Sequence, residues 1–115
     1  MKISIITPSF NSEKTIEETI KSVLSQTYND IEYLIIDGGS RDRTLEIVDK
    51  YKDKISKIVS EPDKGIYDGM NKGIKLATGE IVGILNSDDL YFDESVIENV
   101  MKAFKENQID CLWGD

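Results

Sequence analysis

The chain has 115 residues, 39% of them hydrophobic and 31% charged, a balance that describes one folded soluble domain and excludes a disordered tail or a membrane span. Its net charge of -8 argues against a nucleic-acid surface, and the absence of histidine excludes His-based triads, His general bases and imidazole zinc sites. Any acid–base or metal chemistry falls to carboxylates.

In chain order, the opening run has one lysine, a short apolar stretch and no small-residue cleavage site, so no targeting segment or membrane span is expected and the cytoplasm is the expected location. An Ile-rich run predicts a first strand over Lys2–Thr7. Ile16, Ile20, Val23 and Leu24 then recur at helical spacing, with Thr15 and Glu18 at capping-box spacing, and predict an amphipathic helix. A second strand is predicted over Ile31–Asp37. A second helix starts near Asp42 as N-cap and turns Leu45, Val48 and Tyr51 to one side. A third strand follows over Ile55–Ser60.

The third helical segment, Ile66 to Ala77, sets Ile66, Met70, Ile74 and Ala77 on one face, and carries Gly69 and Gly73 inside it at a cost of up to about 1 kcal/mol each against alanine. Glycine there suggests close packing or close approach. A fourth strand is predicted over Glu80–Leu85, a fourth helix with Ile97, Val100, Met101 and Phe104 inward, and a fifth strand over Ile109–Trp113. The single Cys111 in that last run reads as a small buried side chain, in keeping with a reducing compartment. Strands alternating with helices predict an α/β fold: an open, mostly parallel Rossmann-like sheet with helices on both faces, in a single domain.

Ligands of such sheets bind at the carboxyl ends of the strands, which singles out Thr7–Asn11, Asp37–Ser40 and Asn86–Asp89. The first loop lacks G-x-G-x-x-G, which excludes a dinucleotide-binding dehydrogenase. Phe10 offers either a stacking face for a base or a hydrophobic staple for the first helix. Asp37 is read either as an acceptor for a base N–H or ribose hydroxyl, or as a partner for turn amides. Adjacent carboxylates repel, so Asp88 and Asp89 suit a cation, and oxygen ligands favour Mg or Mn over zinc; a solvated turn before the last helix is the alternative. Asp63 and Lys64 precede the third helix, where they would meet a nucleotide hydroxyl and a phosphate or simply form a turn.

These segments together carry a resemblance. Thr7-Pro8-Ser9-Phe10-Asn11, the run from Ile36 through Thr44, the run from Ser60 through Gly73, and Ala77 to Glu80 leading to Asn86-Ser87-Asp88-Asp89 resemble, in order and spacing, the inverting glycosyltransferases of family 2, which have the GT-A fold. The resemblance covers nearly the whole chain but only the donor-binding half of a typical member. It implies that Asp37 contacts the base, that Pro8 and Phe10 border the nucleoside, and that Asp89 ligates a divalent Mn or Mg ion bridging a donor diphosphate. Asp88 is implied to contact ribose or sugar, and Asp63 and Lys64 to lie near the nucleotide.

The implied reaction transfers sugar from a nucleoside-diphosphate sugar, with uridine favoured, to the hydroxyl of a sugar or lipid-linked acceptor, with inversion, in cell-surface polysaccharide or glycan synthesis. The base and the acceptor-binding segments are expected beyond Asp115. The rival expectation is a binding module that keeps affinity for nucleotide sugars without transfer, distinguished by a turnover assay. A receiver-like domain would want its acidic pair after the first strand, and a sugar nucleotidyltransferase a Gly-rich basic loop there.

Overall fold

The computed structural model describes residues 1–91 and 93–107, with the side chains of Ile66, Lys105, Glu106 and Asn107 left out. The fifth predicted strand, Cys111 and Asp115 lie outside the described residues. Four strands form a parallel sheet in the order β3-β2-β1-β4, from β1 (Ile3–Ser9), β2 (Ile31–Asp37), β3 (Lys57–Ser60) and β4 (Ile81–Ile84). The helices are α1 (Ile16–Leu24), α2 (Thr44–Asp49), α3 (Ile66–Leu76) and α4 (Val96–Asn107), with a short 3-10 turn at Lys52–Lys54. Among the described residues no helix is long and apolar enough to cross a membrane.

The unbroken apolar runs of β1 and β2 follow from burial on both faces. Ile3, Ile5, Tyr33, Ile35, Ile81 and Leu85 point to one side and pack with Ile16, Ile20, Val48, Ile97, Met101 and Phe104 of α1, α2 and α4. Ile6, Leu34, Ile36 and Ile84 point to the other, against Met70 and Ala77 at α3. Alternation along each strand thus feeds two cores, and each fully buried Ile or Leu contributes roughly 1.5–3 kcal/mol of apolar burial.

Strand β1 runs two residues beyond its predicted end, through Pro8 and Ser9, which pair with Ile36 and Asp37. A proline is tolerated because the β1–β4 ladder ends at Ile6 and Ile84. Ile6 O accepts from Leu85 N, so the alternating backbone turns the amide-less Pro8 nitrogen to that same side, past the end of the ladder.

Two helix starts differ from expectation. Thr15 makes no side-chain cap, and Ile16 N donates to Ser12 O at 2.9 Å. The amides entering α1 are met from the β2–α2 loop: Ser12 N donates to Thr44 Oγ1 and Glu13 N to Asp42 Oδ2. Asp42 also accepts from Thr44 N at 2.9 Å, so it braces the start of α2 from one residue further out than an N-cap. In α3, Gly69 and Gly73 are buried against the sheet beside Met70 and Ala77 of the predicted face, and Ile74 is 44% exposed. A methyl group on Gly73 would lie 2.5 Å from Ile6 Cγ2, so the helix rests on β1 through its glycines and the apolar stripe predicted through Ile74 turns partly outward.

Candidate functional site

The strand order reverses between β1 and β4, where the chain crosses through α3 on the face opposite α1, and a crevice opens beyond their carboxyl ends. A cleft of about 820 Å³ lies there, bordered by Pro8, Phe10, Asp63, Asn86, Ser87 and Asp88 among others. It brings together four of the residues singled out from sequence, Pro8, Phe10, Asp63 and Asp88; Asp37, Lys64 and Asp89 are not on its lining.

Three loops build the cleft and are stitched to each other. Asn11, at φ 47, donates its amide to Ser40 Oγ at 2.8 Å and accepts from Arg41 N at 2.9 Å, joining the loops after β1 and β2. Asn is among the few residues that adopt this left-handed backbone at small cost. Ser12 Oγ and Ser87 Oγ lie 2.6 Å apart and join the first loop to the one after β4. Phe10 is 58% exposed, so its ring is presented to solvent at the cleft and is not a staple for α1.

Asp37 is fully buried. Its Oδ1 accepts from Ser9 Oγ and Ser40 Oγ, and its Oδ2 from Gly39 N, Ser40 N and Ser60 Oγ, at 2.6 to 3.0 Å. With both oxygens occupied by protein donors, Asp37 shapes the loop beneath the cleft, and the turn-amide arrangement is the one adopted.

The two glycines after Asp37 serve different ends. Gly39 has φ +88, which requires glycine, whereas Gly38 makes room: a methyl group there would lie 2.8 Å from both carboxylate oxygens of Asp63. Gly69 approaches the same carboxylate, its notional methyl 3.4 Å from Asp63 Oδ2 and from Pro8 Cβ. Asp63 therefore sits in a seat of two glycines and a proline, with Oδ1 accepting from Gly65 N at 3.0 Å. Lys64 is exposed, and its amide donates to Asp68 Oδ2. Lys72 holds this segment from the other side, 3.1 Å from Glu61 and 3.7 Å from Asp68, and the hydrogen bond with Glu61 raises its pKa.

On the opposite wall, Asp88 is exposed and Asp89 half-buried, with Asp89 N donating to Asn86 O at 3.0 Å. Asn86 Oδ1 is buried without a hydrogen-bond partner among the described residues, in a residue that borders the cleft. Sequence reasoning marked the cluster but not this side chain; its signal was a polar residue ending an apolar strand just before two carboxylates. Among the described residues no group of three or more His, Cys, Asp or Glu converges on one point. Mg and Mn commonly take one or two carboxylates and fill the remaining positions with water and phosphate oxygens, so Asp88 and Asp89 are the side chains of this loop that would hold such an ion.

The sequence profile of the family described as Glycosyl transferase family 2 matches residues 4–115. The chain belongs to this family. The family 2 chain is 34% identical over 112 residues to an uncharacterised glycosyltransferase, EpsJ, of Bacillus subtilis, covering 96% of itself and 32% of that protein. It superposes on the crystal structure of S. aureus TarS residues 1–349 in complex with UDP-GlcNAc with a TM-score of 0.84 at 32% identity, covering 94% of itself and 32% of that chain. A second solved structure, the mannosyltransferase PcManGT from Pyrobaculum calidifontis in complex with GDP-Man and Mn2+, gives a TM-score of 0.86 at 25% identity over 94% of this chain and 33% of that one. The fold is that of the GT-A glycosyltransferases. The family 2 chain spans about a third of the length of these three relatives.

Proposed function

We propose that this chain is the donor-binding part of a glycosyltransferase that takes sugar from a nucleoside-diphosphate sugar, a UDP-sugar foremost, and passes it with inversion to an acceptor hydroxyl. The observation that carries the reading is the cleft at the strand-order reversal, where an exposed aromatic, a glycine-seated carboxylate and an acidic loop with an unpartnered acceptor face one space. TarS was solved with UDP-GlcNAc and PcManGT with GDP-Man and Mn2+, which supports a nucleotide sugar and a divalent ion.

In this reading Pro8 and Phe10 border the nucleoside, and Asp37 acts on the base from beneath by fixing residues 38–40. Asp63 accepts from a nucleotide hydroxyl and Lys64 stands near the nucleotide. Asp88 turns to ribose or sugar, and Asp89 ligates the ion with Asn86 Oδ1 nearby. When bound, the ion supplies positive charge against the departing diphosphate. The acceptor oxygen bonds to the anomeric carbon as that carbon's bond to the diphosphate breaks, and a carboxylate base takes the hydroxyl proton. The acceptor is a sugar or a lipid-linked sugar of polysaccharide or glycan synthesis, met on the cytoplasmic side.

The test is calorimetric titration of UDP in Mn2+ and then in EDTA, with Asp89→Ala alongside. Metal-dependent binding in the native chain that disappears in the variant is the expected result. Failure of UDP, GDP and dTDP alike to bind, with metal or chelator, overturns the reading.

A further inference from the structure

Helix α1 and the turn that ends it carry a polar stripe, Thr19, Ser22 and Gln26, beside the apolar one, and all three side chains are buried although they add nothing to the apolar core. Each bonds a carbonyl of the preceding helical turn, and their other partners lie in one place. The one hydroxyl hydrogen of Thr19 is shared between Ser87 O, 3.0 Å from Oγ1, and Asp89 O. Ser22 Oγ accepts from Tyr91 N at 3.1 Å. Gln26 Nε2 donates to Asp93 O at 2.7 Å, and its Oε1 accepts from Ile97 N at 2.9 Å. The segment that leaves β4 and enters α4 thus takes its backbone partners from one face of α1, in register with it.

A buried loop must find partners for its amides and carbonyls, and most loops find them within themselves or in water. Here the two carbonyls held by Thr19 belong to the residues on either side of Asp88, and one of them is Asp89 itself. A hydroxyl hydrogen shared between these two carbonyls restrains the backbone from which the two carboxylates project. Outer groups of this kind set the direction of metal ligands, and their removal commonly costs 10- to 100-fold in metal affinity.

We propose that Thr19 is the positioning residue of the acidic loop, holding Asp88 and Asp89 in the orientation that takes up the divalent ion, with Ser22 and Gln26 extending the hold toward α4. The inference rests on the donor-site reading given above. Thr19→Val keeps the shape of the side chain and removes its hydroxyl; Thr19→Ser keeps the hydroxyl.

The experiment titrates UDP into the native chain, T19V and T19S across a range of Mn2+ and in EDTA, with a thermal melt of each. T19V should need about ten-fold more Mn2+ for half-maximal UDP binding, with its affinity in EDTA unchanged, and T19S should return to the native value. A purely structural role would lower Tm and weaken binding in metal and chelator alike, and that result overturns the proposal. A native chain that binds none of UDP, GDP and dTDP removes the donor-site reading and this inference with it, and UDP binding that ignores Mn2+ removes this inference alone. A metal-dependent native chain matched by T19V removes this inference alone. Should T19V fail to fold, Ser22→Ala makes the same test at Tyr91: an unchanged Mn2+ requirement overturns the proposal, and one raised several-fold supports it.

Discussion

Gly38 shows how a single missing methyl group shapes a site. Its backbone lies outside the positive-φ region that Gly39 and Gly65 occupy, so alanine is conformationally admissible there. What forbids a side chain is the carboxylate of Asp63, 2.8 Å from where the methyl would be. A carboxylate at the end of a short side chain moves more readily than backbone, so Gly38→Ala should leave stability within about 0.5 kcal/mol of native. The displaced Asp63 should weaken UDP binding about ten-fold, the equivalent of about 1.4 kcal/mol. Melting and calorimetry on the same variant separate the two effects, and an unchanged affinity would place Asp63 outside the nucleotide site.

Helix α3 is the element whose sequence pattern misleads most. The spacing of Met70, Ile74 and Ala77 suggests an apolar face, yet the sheet is met by Gly69 and Gly73, and Tyr67 and Ile74 are 78% and 44% exposed. Glycine permits the helix axis to approach β1 more closely than any side chain would allow, and that approach outweighs helix propensity. Gly73→Ala would gain up to about 1 kcal/mol of propensity and lose roughly 1–3 kcal/mol through a contact of 2.5 Å with Ile6 Cγ2. The variant should be less stable by about 1 kcal/mol in urea denaturation. A gain in stability would show that α3 does not rest on β1 as described. Helices α1 and α4 are the contrary case: Ile16, Ile20 and Val23, and Ile97, Met101 and Phe104, are buried as their periodicity foretells.

At the scale of the molecule, the ligand cleft and the stabilising polar cluster lie at opposite ends of the sheet. Glu32, near the start of β2, is buried and accepts from Ser4 Oγ at 2.7 Å, from Thr78 N at 2.8 Å and from Thr78 Oγ1 at 2.9 Å, with Lys57 Nζ at 3.7 Å. It ties β1, β2, β3 and the turn before β4 together. Burial works against its charge, but the Thr78 amide, the Ser4 and Thr78 hydroxyls and Lys57 outweigh that and hold its pKa at about 2, below the ordinary 4.5. Because the folded chain holds this proton less tightly than the unfolded one, the contribution is full above pH 4.5 and is lost as pH falls toward 2. Unfolding followed by circular dichroism should show stability falling across that window. Glu32→Gln should flatten the fall and cost about 2 kcal/mol at pH 7. An acid limb of the same slope in the variant would assign the loss to other carboxylates.

What the sequence determined by itself was what repeats or stands in order along the chain. Strand and helix periodicity set the α/β class, and the ordered segments from Thr7 to Asp89 set the family, because burial on a face and the ends of strands leave regular marks in one dimension. The tertiary structure alone decided which groups meet. Asp37 reads as either a ligand contact or a turn partner, and only the fold brings Ser9, Ser40 and Ser60 onto it from two other strand ends and its own loop. The glycine seat of Asp63 and the hold of Thr19 on residues 87 and 89 both join positions far apart in sequence. Hydrogen bonding and close approach are short-ranged, so they depend on distances that only the folded chain sets.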